Sequence, residues 1–178
     1  MKISAIVCIN LKRALGKDGD LLYKISGDLQ NFKRITDKSF IIMGRKTWES
    51  LPKKPLPNRV NIVVSSSGIE YDSYESFEEI EDMDPIMFKS LEDALCYADG
   101  CTAPNEEVFI IGGASLYKEA MEKNYITNLY VTEVFDDTEG DVYFPEFEND
   151  KKWKLWFQTA LISDSKSDLK YRYKFYRF

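Results

Sequence analysis

Short apolar runs, each followed by a stretch of helical character, place the first constraint on this chain. Lys2 to Ile9 (KISAIVCI), Phe40 to Met43, Val60 to Val64 (VNIVV), Pro85 to Lys89, Val108 to Ile111 (VFII) and Asn128 to Phe135 (NLYVTEVF) are too short for core helices. Their continuous apolar character fits strands buried on both faces, as in a parallel sheet covered by helices. The helices are expected over Gly27 to Thr36, from Arg45 to Leu51, from Ser90 towards Gly100, and from Ser115 to about Lys123. Trp153 to Ile162 and Lys170 to Phe178 instead alternate aromatic and charged residues, as an antiparallel hairpin does. The expected fold is α/β, one domain over residues 1–178, with a mostly parallel central sheet, flanking helices and a C-terminal antiparallel hairpin.

Composition narrows the chemistry. The formal net charge of −6 argues against a general nucleic-acid or anionic-membrane surface, so phosphate binding has to come from a local cluster. The N-terminus lacks a secretory pattern and no apolar run approaches a bilayer span, so a cytoplasmic protein is expected. Cys8, Cys96 and Cys101 are odd in number and irregularly spaced, which suits neither a disulfide framework nor a thiolate metal site, and no metal is expected. There is no histidine, which removes histidine triads and histidine acid–base work. Proton chemistry must then rest on carboxylates, tyrosines, lysines or water.

Local patterns supply candidates, each with a bland alternative. Asp28 lies in the first turn of a helix, where the dipole favours an acid, and shares a face with Leu29 and Phe32. A carboxylate on an apolar face tends towards a raised pKa, which suits proton management near neutral pH. Gly44, Arg45, Lys46 and Thr47 follow a buried strand and open a helix, either a phosphate site or a solvated basic helix start. Gly112 and Gly113 end a strand ahead of another helix; a plain turn and a close ligand approach are both open there. Arg59 follows Pro55-Leu56-Pro57-Asn58 on a rigid strand entry, suited to a carboxylate clamp or to a surface salt bridge. Residues 10–26 form a strand-poor loop, and the acidic stretch 70–84 reads as a solvated surface excursion.

Taken in order, ISAIVCI, the Leu15-Gly16 pair, GDLQNFKR, IIMGRKTWESL, PLPNR, NIVVSS, KSLEDAL, VFIIGGASLY, LYVTEV, EGDVYFP and the Tyr/Phe-rich end resemble the dihydrofolate reductase family along the whole chain. The resemblance implies NADPH-dependent reduction of 7,8-dihydrofolate, with Asp28 holding the pteridine and promoting protonation at N5, Thr132 bonding that carboxylate, and Tyr23 beside them. It implies substrate contacts from Ile6, Cys8, Leu29, Phe32, Leu51, Arg59 and Ile111. On the cofactor side it implies Cys8, Leu15, Gly16, Gly44, Arg45, Lys46, Thr47, Ser65, Ser66, Gly112, Gly113, Ala114, Ser115, Leu116 and Tyr117. Arg45 and Ser66 are the implied readers of the 2′-phosphate, and Gly112–Gly113 an implied cis pair.

The same resemblance makes residues 10–24 a mobile active-site loop that Asp141 can tether. It also implies a cytoplasmic monomer that antifolates could inhibit. Tyr23 stands where bacterial members usually carry tryptophan, and Leu22 and Ser26 where proline is common. The reductase domain of riboflavin synthesis shares the fold and cofactor, but the Asp28 helix, PLPNR and EGDVYFP favour folate. A binding module without turnover is the non-enzymatic rival.

Overall fold

The computed structural model describes residues 1–67 and 85–178, so the acidic stretch 70–84 lies outside the described residues. The strands are β1 (Lys2–Asn10), β2 (Ala14–Lys17), β3 (Asp20–Leu21), β4 (Phe40–Gly44), β5 (Val60–Val64), β6 (Ile86–Phe88), β7 (Glu107–Gly112), β8 (Asn128–Val134), β9 (Val142–Tyr143), β10 (Lys154–Gln158), β11 (Ile162–Ser163) and β12 (Lys170–Arg177). The helices are α1 (Ser26–Thr36), α2 (Arg45–Ser50), α3 (Leu91–Cys101) and α4 (Ala114–Glu122).

Among the described residues the main sheet runs β10-β12-β8-β1-β7-β4-β5-β6, with β11 also paired to β12. The pairs from β8 through β1, β7, β4 and β5 to β6 are parallel, whereas β12 is antiparallel to β8, β10 and β11. This is the single α/β domain expected, with the antiparallel pair at the far edge.

The period of two along each strand divides the core. Ala5, Val7, Ile9, Val108 and Ile110 join Leu91, Ala94, Leu95 and Ala98 of α3 and Leu116, Tyr117 and Ala120 of α4 on one face. Ile41, Met43, Val63 and Phe109 join Trp48 of α2 on the other, with Ile35 of α1 packed against them. Two helices per face leave no wet side, which explains why the strands lack polar alternation.

The connections place the site. The chain leaves β1 towards β4 and β5, returns to β7 between β1 and β4, then crosses β1 to reach β8. Connections diverge at the carboxyl ends of β1 and β7, where open α/β sheets take ligands.

Two expectations need correction. Residues 10–26 are not strand-poor: β2 pairs with β3 and with β9 in a separate three-stranded sheet. A strand of four residues whose partner β9 lies 126 to 129 positions away has no periodicity of its own to read. The helix expected from Gly27 starts one residue earlier, at Ser26, behind Ile25 with no side-chain cap bond. Ser90 does cap α3, accepting from the Asp93 amide.

Candidate active site

Asp28 sits in the first turn of α1, and the start of that helix is seated on the last strand. Tyr173 Oη donates to the Gly27 carbonyl (3.0 Å), and a β-carbon at Gly27 would fall on the Tyr171 hydroxyl. The carboxylate thereby meets β8, where buried Thr132 donates its Oγ1 proton to Asp28 Oδ1 at 2.5 Å. Cys8 of β1 lies in register with Thr132, so its thiol stands beside that hydroxyl on the same face of the sheet. Burial raises the Asp28 pKa from its ordinary value, with the Thr132 hydroxyl and the Cys8 thiol opposing that rise. The result is an acid that takes up a proton more readily than an exposed one.

Apolar groups continue from this carboxylate. Ile6, Leu51 and Ile111 are partly buried and pack at the edge of the Met43–Trp48–Phe109 cluster. Phe32 is half-buried beneath the Arg59 guanidinium, 5.6 Å from its ring centre. Leu29, expected inward, is 48% exposed, because α1 runs along the rim and buries only Thr36 fully. Arg59 is oriented by two donations, Nη1 to Thr36 Oγ1 (3.1 Å) and Nε to the Pro57 carbonyl (3.0 Å). Burial lowers its pKa, with the Asp37 charge opposing. The turn carrying Arg59 is held by Asn61, which bonds both the amide and the carbonyl of Leu56 and the Arg59 carbonyl. Asn61 was not singled out in the sequence, although a lone amide inside VNIVV was a visible signal.

The opposite wall is glycine-lined. The Gly112–Gly113 peptide is cis, and Gly112 has φ +127°, a backbone region that favours glycine. A β-carbon at Gly112 or Gly113 would lie 3.4 or 3.3 Å from Thr47 Oγ1, so this floor is kept flat against α2. Tyr117 is buried, donates to the Ile6 carbonyl (2.8 Å) and stacks edge-on to Phe144. Burial, with the nearby Asp28 charge, holds its pKa well above the usual phenol range.

Gly44 and Gly113 are the residues just ahead of α2 and α4, so amides of Arg45 and Lys46, and of Ala114 and Ser115, start helices beside one another. Leu116 of α4 turns into the core. Lys46 and Ser66 are exposed and Ser65 is buried at the end of β5. Arg45 Nη1 pairs with Glu49 at 2.7 Å, so its charge is partly answered within α2.

A strap closes the third side. Leu15 and Gly16 lie on β2, their carbonyls accepting from the Leu22 and Asp141 amides at 3.1 Å each. Asp141 Oδ2 also accepts from the Asp18 amide (2.9 Å). A β-carbon at Gly16 would lie 2.6 Å from the Asp20 carbonyl oxygen, a contact only glycine avoids. Tyr23 is buried, but its hydroxyl donates to Asp136 at 2.5 Å and accepts from Asn10 at 3.1 Å. Asn10 is a hub that sequence reasoning missed: it also bonds the Thr138 carbonyl and the amides of Lys12 and Ala14. A buried amide ending an apolar strand at a loop was the available signal.

Behind α1, on the flank away from Phe32 and Arg59, lies a cavity of about 630 Å³ lined by Asn31, Arg34, Ile35, Tyr130 and Phe175 among others. It shares Ile6 and Thr132 with the Asp28 cleft.

Residues 2–178 match the sequence profile described as dihydrofolate reductase. Similar proteins of that name include one from Bacillus subtilis (strain 168), 40% identical over 98% of this chain and 93% of its own length. One from Schistosoma mansoni is 35% identical over 87% of this chain and 84% of its own. One from Bos taurus is 34% identical over 97% and 94%, respectively.

Proposed function

Given that the chain belongs to the dihydrofolate reductase family and is an enzyme of that kind, we propose that it reduces 7,8-dihydrofolate to tetrahydrofolate with NADPH, using Asp28 to manage the proton. The observation that carries this reading is a partly buried, Thr132-bonded carboxylate in an apolar cleft facing a glycine-lined wall. Asp28 binds the pteridine through its amino group and ring nitrogen and promotes protonation at N5. Thr132 orients that carboxylate. Ile6, Phe32, Leu51 and Ile111 flank the rings and exclude water, while Leu29 lies at the rim, where a bound aminobenzoyl group would cover it. Arg59, with its Nε and Nη1 already directed, presents the rest of its fork to the substrate α-carboxylate.

The residues present fit a nicotinamide nucleotide. Gly112 and Gly113 leave a surface that a β-carbon would obstruct against Thr47, and adjoining helix starts offer free amides for phosphate. Arg45, Lys46, Thr47, Ser65 and Ser66 would hold the phosphates on one side, and Ala114, Ser115 and Leu116 on the other. Backbone of Cys8, Leu15 and Gly16 would hold the nicotinamide end, with Tyr117 shaping the floor. NADPH, when bound, supplies the hydride that reaches C6. A cytoplasmic monomer open to antifolates completes the reading.

The test follows NADPH consumption by purified protein with dihydrofolate and, in parallel, with a ribose-aminopyrimidine substrate. Turnover with dihydrofolate alone is the expected result. NADPH binding without that turnover would overturn the reading.

A further inference from the structure

The carboxylate of Asp28 is reached from the sheet by two side chains, and only Thr132 has a part in the reading above. The second is Cys8. Strands β1 and β8 run parallel with Cys8 opposite Thr132 and Ile6 opposite Tyr130, so thiol and hydroxyl stand side by side on the face that α1 covers. Thr132 already touches the carboxylate, and Cys8 is its neighbour across the strand pair, while Cys96 and Cys101 are exposed elsewhere. Two tyrosines also sense the Asp28 charge, Tyr117 from α4 and Tyr173 from β12, but their hydroxyls donate to the Ile6 and Gly27 carbonyls. Thr132 and Cys8 therefore have donors left for Asp28, whose burial acts in the opposite sense.

We propose that Cys8 is a positioning residue for Asp28: with Thr132 its thiol fixes the carboxylate from the sheet side and directs its remaining lone pairs into the cleft. This rests on the assignment of Asp28 to the proton step. A thiol is a weak donor, so the effect is smaller than that of Thr132. A donor to the charged form lowers a carboxylate pKa, and its loss raises it. The protonated form then persists to higher pH. Burial and the Asp28 charge hold the Cys8 thiol itself well above its ordinary pKa, which keeps it a donor rather than a thiolate.

The decisive measurement uses the unmodified enzyme. The infrared S–H stretch of Cys8, identified by its loss in Cys8→Ala, should shift as Asp28 titrates and should lose that response in Asp28→Asn. In parallel, the carbon-13 carboxyl titration of Asp28 should move up by about half a pH unit in Cys8→Ala. Cys8→Ser should return it to the wild-type midpoint or below, because a hydroxyl donates more strongly. The midpoint of the pH–rate profile for hydride transfer should move with it. An S–H band blind to Asp28 ionisation, or equal Asp28 midpoints in wild type and Cys8→Ala, would overturn the proposal. If Asp28→Asn kept full turnover, the proton assignment would fail, while the carboxyl titration would still report on the Cys8 contact alone.

Discussion

A carboxylate whose pKa rises on folding binds protons more tightly in the native state, so its stability contribution falls as pH climbs past the unfolded value. Burial makes Asp28 such a group. Asp28→Asn should therefore stabilise the protein by about 1 kcal/mol at neutral pH, and the gain should vanish well below the ordinary carboxylate range. Urea unfolding at both pH values checks it; a destabilised or pH-indifferent variant would refute the electrostatic account. The same variant should retain NADPH affinity and lose turnover by orders of magnitude at pH 7, less in acid, where solvent can protonate N5. Steady-state kinetics across pH, with wild-type activity at neutrality as the contrary outcome, tests that part. At the cofactor edge, Ser66→Ala or Arg45→Ala should weaken NADPH more than NADH, since only the former carries the 2′-phosphate; titrations giving equal loss would remove both from that role. The periodicity of GDLQNFKR put Asp28 on one face with Phe32 and with Leu29, which the fold leaves exposed at the rim, whereas Thr132, 104 residues away, came only through the family resemblance. Cys8 was legible as backbone but not as a donor, because its neighbour across the sheet depends on the register of β1 and β8.

Strands and helices of the main layer were readable because each carries its own pattern, and the small sheet was not because its strands borrow theirs from distant partners. Helix α1 shows how such borrowing constrains an element. Alanine in place of Gly27 would improve helix propensity by up to about 1 kcal/mol. Its β-carbon, however, meets the Tyr171 hydroxyl in a packed setting, where overpacking costs about 1–3 kcal/mol, so the clash should win. Gly27→Ala is expected to destabilise, and adding Tyr171→Phe to recover most of the loss. A double-mutant cycle by thermal unfolding decides, and simple additivity would show that the two residues do not interfere. The strap is built likewise: Asn10 binds β1 to the 136–138 turn and to Tyr23. Asn10→Ala should cost roughly 1–3 kcal/mol by leaving buried partners unsatisfied, and should speed amide exchange across residues 10–24 more than in β8. Uniform exchange throughout would place the loss in the core instead.

For the molecule as a whole, periodicity gave the layers but not the strand order, since the insertion of β7 between β1 and β4 leaves no local trace. That insertion brings Cys8, Gly112 and Thr132 to one edge, and ligand there should be felt globally. NADPH at a hundred times its dissociation constant should raise unfolding free energy by about 2.7 kcal/mol, measurable as a rise in Tm. No shift would place the cofactor elsewhere. The hollow behind α1 bears on how such an enzyme changes under selection. Substitutions in the cleft that blunt an inhibitor tend to erode stability, and a protein near its threshold needs a compensating change. A larger apolar residue at Asn31, walled by Ile35, Tyr130 and Phe175, would fill empty volume without entering the substrate side. The flank of α1 is thus where second-site suppressors of drug resistance would arise, one helix width from the residue they protect.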